Sequence, residues 1–319
     1  MIVIESNMLV INSKNISKLL NVVSLIDEIK FTFKNSEKVP LREVYRINGK
    51  QHSELLIMPS FLKSDFYGVK LLNVFPKNPS KGLKRINASY VLFNKNTGEV
   101  KAILDGTELT NQRTAAMSAL ASKYLSNKLS KKLLIIGTGA LVPYMLAAHT
   151  KIRPIKEVFI WGRDYEKASH IVKKYKNNNF SITAVKELKN ICKEMDIVST
   201  VTSSKKPFLY KEWFKEGVHI DLVGAHTKFM GELHSNAFKL GGIYVEDLNF
   251  SLAEAGDLIS ALKEGVITRD NIKADMKTLI QNNKYVRKQE KKSTIFKSVG
   301  HPLSDLAAAV LVYKKYISQ

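Results

Sequence analysis

The segment Leu133 to His149, LLIIGTGALVPYMLAAH, decides the fold. An apolar run meets Gly137-Thr-Gly139 and continues as a helix-compatible stretch, with Lys131 and Lys132 just ahead of it. Strand, glycine turn and helix N-terminus in that order form a seat for a dinucleotide pyrophosphate, because turn amides and the helix dipole both face the anion. Gly137 permits the tight turn, and Gly139 has no side chain to hold the backbone off the phosphates. The third glycine of the usual pattern is replaced by Val142, so the helix is expected to sit slightly further from its strand. A membrane span is the competing reading, but the uncharged run is shorter than the roughly 18 apolar residues a span needs, and it contains Gly and Pro.

Outward from this turn, Glu157-Val-Phe-Ile-Trp161 is a second strand at βαβ spacing, and Gly162-Arg163-Asp164 follows it. Enzymes that use NAD usually carry Asp or Glu at this strand end to accept the ribose hydroxyls, whereas an Arg without an acid accommodates a 2′-phosphate. The slot is Gly162 and Arg163 comes next, which favours NADP(H) and leaves NAD(H) possible. Asp164, directly before Tyr165-Glu-Lys-Ala, reads as a helix N-cap.

At 319 residues and 45% hydrophobic content, the chain is long enough for two domains and a large core. The single cysteine, Cys192, allows no internal disulfide, and MIVIESNMLV at the N-terminus has no cationic leader pattern, so a cytoplasmic protein is expected. No Cys/His cluster or paired-ligand spacing marks a metal site. The formal charge of +21 would allow phosphate binding, yet lysines are spread along the chain and only Lys284 to Lys292, KYVRKQEKK, is dense. That run reads as a solvated face, and without a binding module no nucleic-acid partner is expected. A positive field suits small anionic substrates better.

Ile16, Leu19, Leu20, Val23, Ile26 and Ile29 share one helical face and predict an amphipathic helix over Ile16 to Ile29. Beyond Pro40, short strand-like runs appear at Glu54 to Met58, Tyr67 to Phe75, Ser89 to Asn94 and Glu99 to Leu104. Turns at Pro76 to Pro79 and Asn96 to Gly98 make them an antiparallel sheet. From Arg113 the pattern alternates: helices over Arg113 to Leu125 and Tyr165 to Lys176, and strands at Ile182 to Val185, Asp196 to Val201, His219 to Val223 and Ile243 to Val245. Such alternation predicts an α/β fold with a parallel, doubly wound sheet. The tail from Ser304, DLAAAVLVYKKYI, reads as a capped amphipathic helix that folds back on the first domain.

Gly68-Val-Lys70, Phe75-Pro-Lys-Asn78, Leu109-Thr-Asn-Gln-Arg113-Thr-Ala-Ala, Gly137-Thr-Gly-Ala, Asp221-Leu-Val-Gly-Ala225 and Phe296-Lys-Ser-Val-Gly300 followed by Asp305 occur in one order over almost the full chain. Together they resemble the ornithine cyclodeaminase and mu-crystallin family. Within it, GTGALVPYMLAAH, WGRDYEKA, DLVGAHT and AEAGDL most resemble the bacterial Δ1-pyrroline-2-carboxylate and Δ1-piperideine-2-carboxylate reductases. The resemblance implies a Rossmann-like doubly wound domain inserted in an α+β substrate-binding domain that also makes a homodimer. Its parts would be residues 1–112 for the first portion of the substrate domain, 113–294 for the Rossmann domain, and 295–319 for the returning segment. It also implies NAD(P)H-dependent reduction of small anionic cyclic imino acids to L-proline or L-pipecolate.

A nicotinamide delivers hydride to an electron-poor carbon, and an imine beside a carboxylate qualifies. By resemblance Arg42, Lys70 and Arg113 hold that carboxylate. Arg suits a bidentate grip, and Lys70 could also protonate the imine nitrogen. The resemblance further implies a cofactor set of Thr110, Gly137, Thr138, Gly139, Ala140, Leu141, Gly162, Arg163, Asp164, Lys167, Thr200, Thr202, Val223, Gly224 and Asp305. Thr227, Asp257 and Asp305 match subfamily positions, with Thr227 on the substrate side, although Asp257 and Asp305 read equally as helix caps.

Two departures matter. Ornithine cyclodeaminases carry an acid/base Asp after the glycines aligned with Val223-Gly-Ala225, and a Glu shortly before a Met-Pro pair. Here those positions are His226 and Leu56. Without both carboxylates a second substrate ammonium would be buried unpaired, which is costly, so cyclodeamination is disfavoured. His226 is either a cofactor or substrate contact able to donate a proton near neutral pH, or a neutral space-filling histidine. The remaining alternatives are an amino-acid dehydrogenase or opine-type synthase of the same family, and a non-catalytic binding protein like mu-crystallin.

Overall fold

A computed structural model describes residues 8–48, 53–63, 65–175, 179–283 and 291–319. The leader-free reading of the N-terminus rests partly on residues 1–7, and the solvated face largely on 284–290, all outside the described residues. The chain divides into two units: the residues up to Thr114 with Pro302–Gln319, and Ala115–His301.

The first unit holds a six-stranded sheet in the order β1-β6-β5-β4-β3-β2. Its strands are β1 (Leu9–Ile11), β2 (Glu43–Asn48), β3 (Ser53–Phe61), β4 (Phe66–Val74), β5 (Ile86–Asn94) and β6 (Val100–Asp105). From β2 to β6 neighbours run antiparallel, as the short runs and turns predict, and β1 adds in parallel to β6. The strands alternate: Leu56, Met58, Leu72, Leu92 and Leu104 are buried on one face. Helix α10 (Pro302–Ile317) packs on β3, β4 and β5 and against α2 (Val22–Lys34), so the C-terminal tail completes this unit.

The single helix expected over Ile16 to Ile29 is two helices, α1 (Ser13–Leu19) and α2. Asn12 and Asn21 each start a helix, with Oδ1 accepting from Asn15 N at 3.0 Å and Ser24 N at 2.9 Å. Leu20 between them is extended. Likewise α3 (Gly106–Leu125) begins well ahead of Arg113, because Asp105 Oδ1 accepts from Thr107 N and Glu108 N, both at 2.9 Å.

The second unit holds an eight-stranded sheet in the order β13-β12-β14-β11-β10-β7-β8-β9, every pairing parallel. The strands are β7 (Lys132–Ile136), β8 (Glu157–Trp161), β9 (Ser181–Val185), β10 (Ile197–Thr200), β11 (His219–Leu222), β12 (Gly241–Val245), β13 (Ile272–Asp275) and β14 (Ser293–Lys297). Between them run α4 (Val142–Ile152), α5 (Tyr165–Lys174), α6 (Leu188–Cys192), α7 (Leu248–Glu254), α8 (Gly256–Lys263) and α9 (Met276–Asn282). The expected end of α5, Lys176, lies outside the described residues. Leu133 to Ile136 and Ile197 to Val198 are fully buried, as continuous apolar strands of a parallel sheet should be. The chain builds β7-β8-β9 outward in one direction, then returns to place β10 on the other side of β7. That reversal is the switch point at which such sheets bind ligands.

β13 and β14 go beyond the strands read from sequence. β14 pairs with β11 on one side and β12 on the other, so it is central, and the return to the first unit begins at Pro302 and not at residue 295.

Candidate active site

Within the first unit, Lys70 and Tyr90 are cross-strand partners on β4 and β5 and are both fully buried on the face toward α10. Lys70 Nζ lies 2.6 Å from Asp305 Oδ2 in the first turn of α10, and Arg113 Nε from α3 lies 2.9 Å from Asp305 Oδ1. Burial drives the Lys70 ammonium down, Asp305 pulls it back up, Arg113 and Arg42 push it down again, and the net value is about 7. Burial alone would raise the Asp305 carboxyl, but the cations of Arg113 and Lys70 more than offset this and hold it below the usual range. Arg113 Nη1 is buried with no hydrogen-bond partner among the described residues, so one edge of the guanidinium is available to a further acceptor. Arg42 is half-buried.

Asp305, expected among the cofactor contacts, has its carboxylate paired with Lys70 and Arg113. Thr110, also expected there, donates its hydroxyl to Gly106 O of its own helix at 2.6 Å. Leu56 is a buried β3 residue, 8% exposed.

In the second unit, the glycine turn follows β7 as read from sequence. Gly137 has φ +139°, a conformation that favours glycine, and its amide donates to Trp161 O at 2.8 Å. A side chain at Gly139 would meet nothing within 4 Å. Leu141 caps α4 without a side-chain hydrogen bond, so the first amides of the helix have no side-chain cap. A cavity of about 640 Å³ lies over Thr138, Gly139, Ala140 and Pro143, with Lys167 and His170 of α5 on its wall. An open glycine, uncapped amides and lysine together fit an anionic pyrophosphate. At the end of β8, Gly162 is packed against Thr138, and Arg163 is exposed. Asp164 caps α5, accepting from Glu166 N at 3.1 Å and Lys167 N at 3.3 Å, and pairs with Lys167 Nζ at 3.4 Å.

Thr200 ends β10 and the loops after β10 and β11 carry Thr202, Val223 and Gly224; the loops meet at Gly224, where a Cβ would lie 2.2 Å from Thr202 O. Both threonine hydroxyls donate to buried Glu232, whose own amide donates to Asp257, and Asp257 pairs with Lys297 Nζ at 2.8 Å. His226 is half-buried and its Nδ1 lies 2.9 Å from Gly224 O, which sets the ring direction; Thr227 is half-buried beside it. Sequence reading missed Glu232 and Lys297. Glu232 follows Gly231 in a stretch with no period, and only its fourfold acceptance of hydrogen bonds marks it.

Among the described residues no group of three or more His, Cys, Asp or Glu could hold a metal ion, and no helix is long and apolar enough to cross a membrane.

A model of the ornithine cyclodeaminase/mu-crystallin family matches residues 6–319. The chain is 32% identical to the Δ1-pyrroline-2-carboxylate reductase of Colwellia psychrerythraea over 315 residues, 97% of this chain and 99% of the relative. Among solved structures it is similar to the Δ1-pyrroline-2-carboxylate reductase of Thermococcus litoralis in complex with NADH and L-proline, at TM-score 0.93 and 30% identity over 98% of each chain. An archaeal alanine dehydrogenase dimer with bound NAD superposes at TM-score 0.89 and 27% identity, over 98% of this chain and 96% of that one.

Proposed function

Because the chain belongs to the ornithine cyclodeaminase/mu-crystallin family, we propose that it is an NAD(P)H-dependent reductase of cyclic imino acids, turning Δ1-pyrroline-2-carboxylate into L-proline and Δ1-piperideine-2-carboxylate into L-pipecolate. The observation that carries this reading is the buried Lys70–Asp305–Arg113 cluster, two cations on one carboxylate with Arg113 Nη1 left without a partner. That edge of Arg113 donates to the substrate carboxylate, with Arg42 as a second cation. Lys70, poised near 7, protonates the ring nitrogen and is reprotonated from solvent after release. Asp305 keeps both cations in place, acting through them.

When bound, the reduced nicotinamide supplies the hydride to the imine carbon. The turn residues Gly137, Thr138, Gly139, Ala140 and Leu141 hold its pyrophosphate with Lys167 at the rim, and Val223 and Gly224 support the nicotinamide half. NADPH is preferred and NADH accepted: Gly162 offers no carboxylate, Asp164 is committed to capping α5, and exposed Arg163 pairs with a 2′-phosphate. The missing carboxylates at Leu56 and His226 leave a diamino acid without a counter-charge, which disfavours ornithine. The protein acts as a homodimer through the half-exposed face of the first unit's sheet, where Ile57, Val69, Leu71 and Val91 offer apolar surface.

The test is oxidation of NADPH and NADH followed in parallel with Δ1-pyrroline-2-carboxylate, Δ1-piperideine-2-carboxylate, pyruvate plus ammonia, and ornithine. Turnover of the two cyclic imines is expected. Faster turnover of pyruvate plus ammonia would make the chain an amino-acid dehydrogenase, and ammonia release from ornithine would make it a cyclodeaminase.

A further inference from the structure

Glu232 is fully buried in the second unit and, among the described residues, its carboxylate makes no ion pair with an arginine or lysine; it is satisfied by four hydrogen bonds, with Lys297 acting on it only through its field. Oε1 accepts from Thr202 N at 2.8 Å and Thr202 Oγ1 at 2.6 Å. Oε2 accepts from Thr200 Oγ1 at 2.8 Å and Ala225 N at 3.0 Å. Thr200 ends β10, Thr202 lies in the loop after it, and Ala225 lies in the loop after β11. One side chain therefore joins the exits of two neighbouring strands at the switch point of the sheet, next to the strand that carries the glycine turn.

The clamp is itself anchored. The amides of Glu232 and Leu233 both donate to Asp257 Oδ1, and Asp257 Oδ2 takes Lys297 Nζ from the end of β14. Gly224 sits in the grip, where a Cβ would be 2.5 Å from Glu232 Oε1 as well as against the Thr202 backbone. His226 takes its ring direction from Gly224 O, so it inherits the same alignment.

We propose that Glu232 is a positioning residue for the dinucleotide: by holding the loops after β10 and β11 together it fixes the wall against which the nicotinamide half lies. This rests on the dinucleotide reading above.

Glu232→Gln tests it without a change of size. Whichever way the amide is turned, its NH2 group faces a backbone N–H, that of Thr202 or of Ala225, so the clamp cannot be remade. NADH and NADPH are titrated by nicotinamide fluorescence on the full chain, well below the unfolding temperature, beside steady-state rates with Δ1-pyrroline-2-carboxylate. Dinucleotide affinity should fall about tenfold with a matching rise in the cofactor KM, since buried donors lose their acceptor. The imino-acid KM should change far less. Unchanged dinucleotide affinity with only a lower Tm would overturn the proposal and make Glu232 a plain core residue. Should Glu232→Gln not accumulate folded, Thr202→Val removes one of the four donors to Glu232, together with the acceptor of Ser204 N, and an affinity equal to the parent's overturns the proposal equally. A parent that binds neither dinucleotide overturns the cofactor reading and the clamp with it, whereas a parent that binds and variants that match it overturn the clamp alone.

Discussion

Lys70 concentrates the chemistry of the first unit, because a lysine buried without its counter-ion would lose its proton and one left in water would keep the proton too tightly. Burial drives it down, Asp305 draws it back up, and the balance is about 7. If protonated Lys70 is the donor, kcat/KM for the imine should be level below that pH and fall about tenfold per unit above it. Asp305→Asn removes the influence that raises Lys70, so the falling limb should move to lower pH; a limb that stays in place in a pH series would exclude Lys70 as the donor. Arg113→Ala should lower kcat/KM by about 100-fold or more while dinucleotide affinity persists, since a charge-assisted grip on the carboxylate is lost. A second residue-scale constraint is at Gly162, where a Cβ would lie 2.4 Å from Thr138 Cγ2. Gly162→Ala should cost about 1–3 kcal/mol through overpacking. Thr138→Ser deletes that methyl and should return most of the loss, as a double-mutant cycle on thermal unfolding would register. The same contact bars an Asp at this strand end unless Thr138 changes too.

At the scale of elements, capping decides boundaries that hydrophobic spacing does not. The periodicity of Ile16, Leu20, Ile26 and Ile29 runs straight through the break between α1 and α2, and all four are buried. The break comes from Asn21, whose side chain captures Ser24 N and so offers the backbone an end to one helix and a start to the next. Asn21→Ala should lower stability by about 1 kcal/mol in urea unfolding followed by circular dichroism, with the sheet of the first unit otherwise intact. The start of α3 follows the same rule through Asp105. In the second unit the short strands β13 and β14 are set by pairing: Ser293–Lys297 is fully or nearly buried between two neighbours, although its sequence STIFK has a lysine, whose charge pairs with Asp257 there.

For the whole molecule, the first unit's sheet has one face against α10 and another that is apolar and half-exposed, with Phe61, Tyr67 and Phe93 stacked along it at 6.3 and 4.8 Å between ring centroids. In the proposed homodimer a second copy of the chain covers that face. Sedimentation should give a dimer, and Leu71→Arg with Val91→Glu should yield monomers that keep the fold, because neither residue is in the core of its own unit.

The order of motifs already determines the family, the doubly wound sheet and the glycine turn, because each depends on local spacing: an apolar strand, a backbone position that needs glycine, a helix directly after it. Lys70 and Arg113 were legible as cations inside motifs, and Asp164 as a cap, for the same reason. What only tertiary structure decided is which charges meet. Asp305 is far along the chain from Lys70 and Arg113, and Glu232 reaches Thr200, Thr202 and Ala225 across separate loops. Hydrophobic period and turn chemistry record a residue's neighbours within a few positions, whereas a buried carboxylate is defined by the donors that folding brings to it, and those contacts leave no mark at short range.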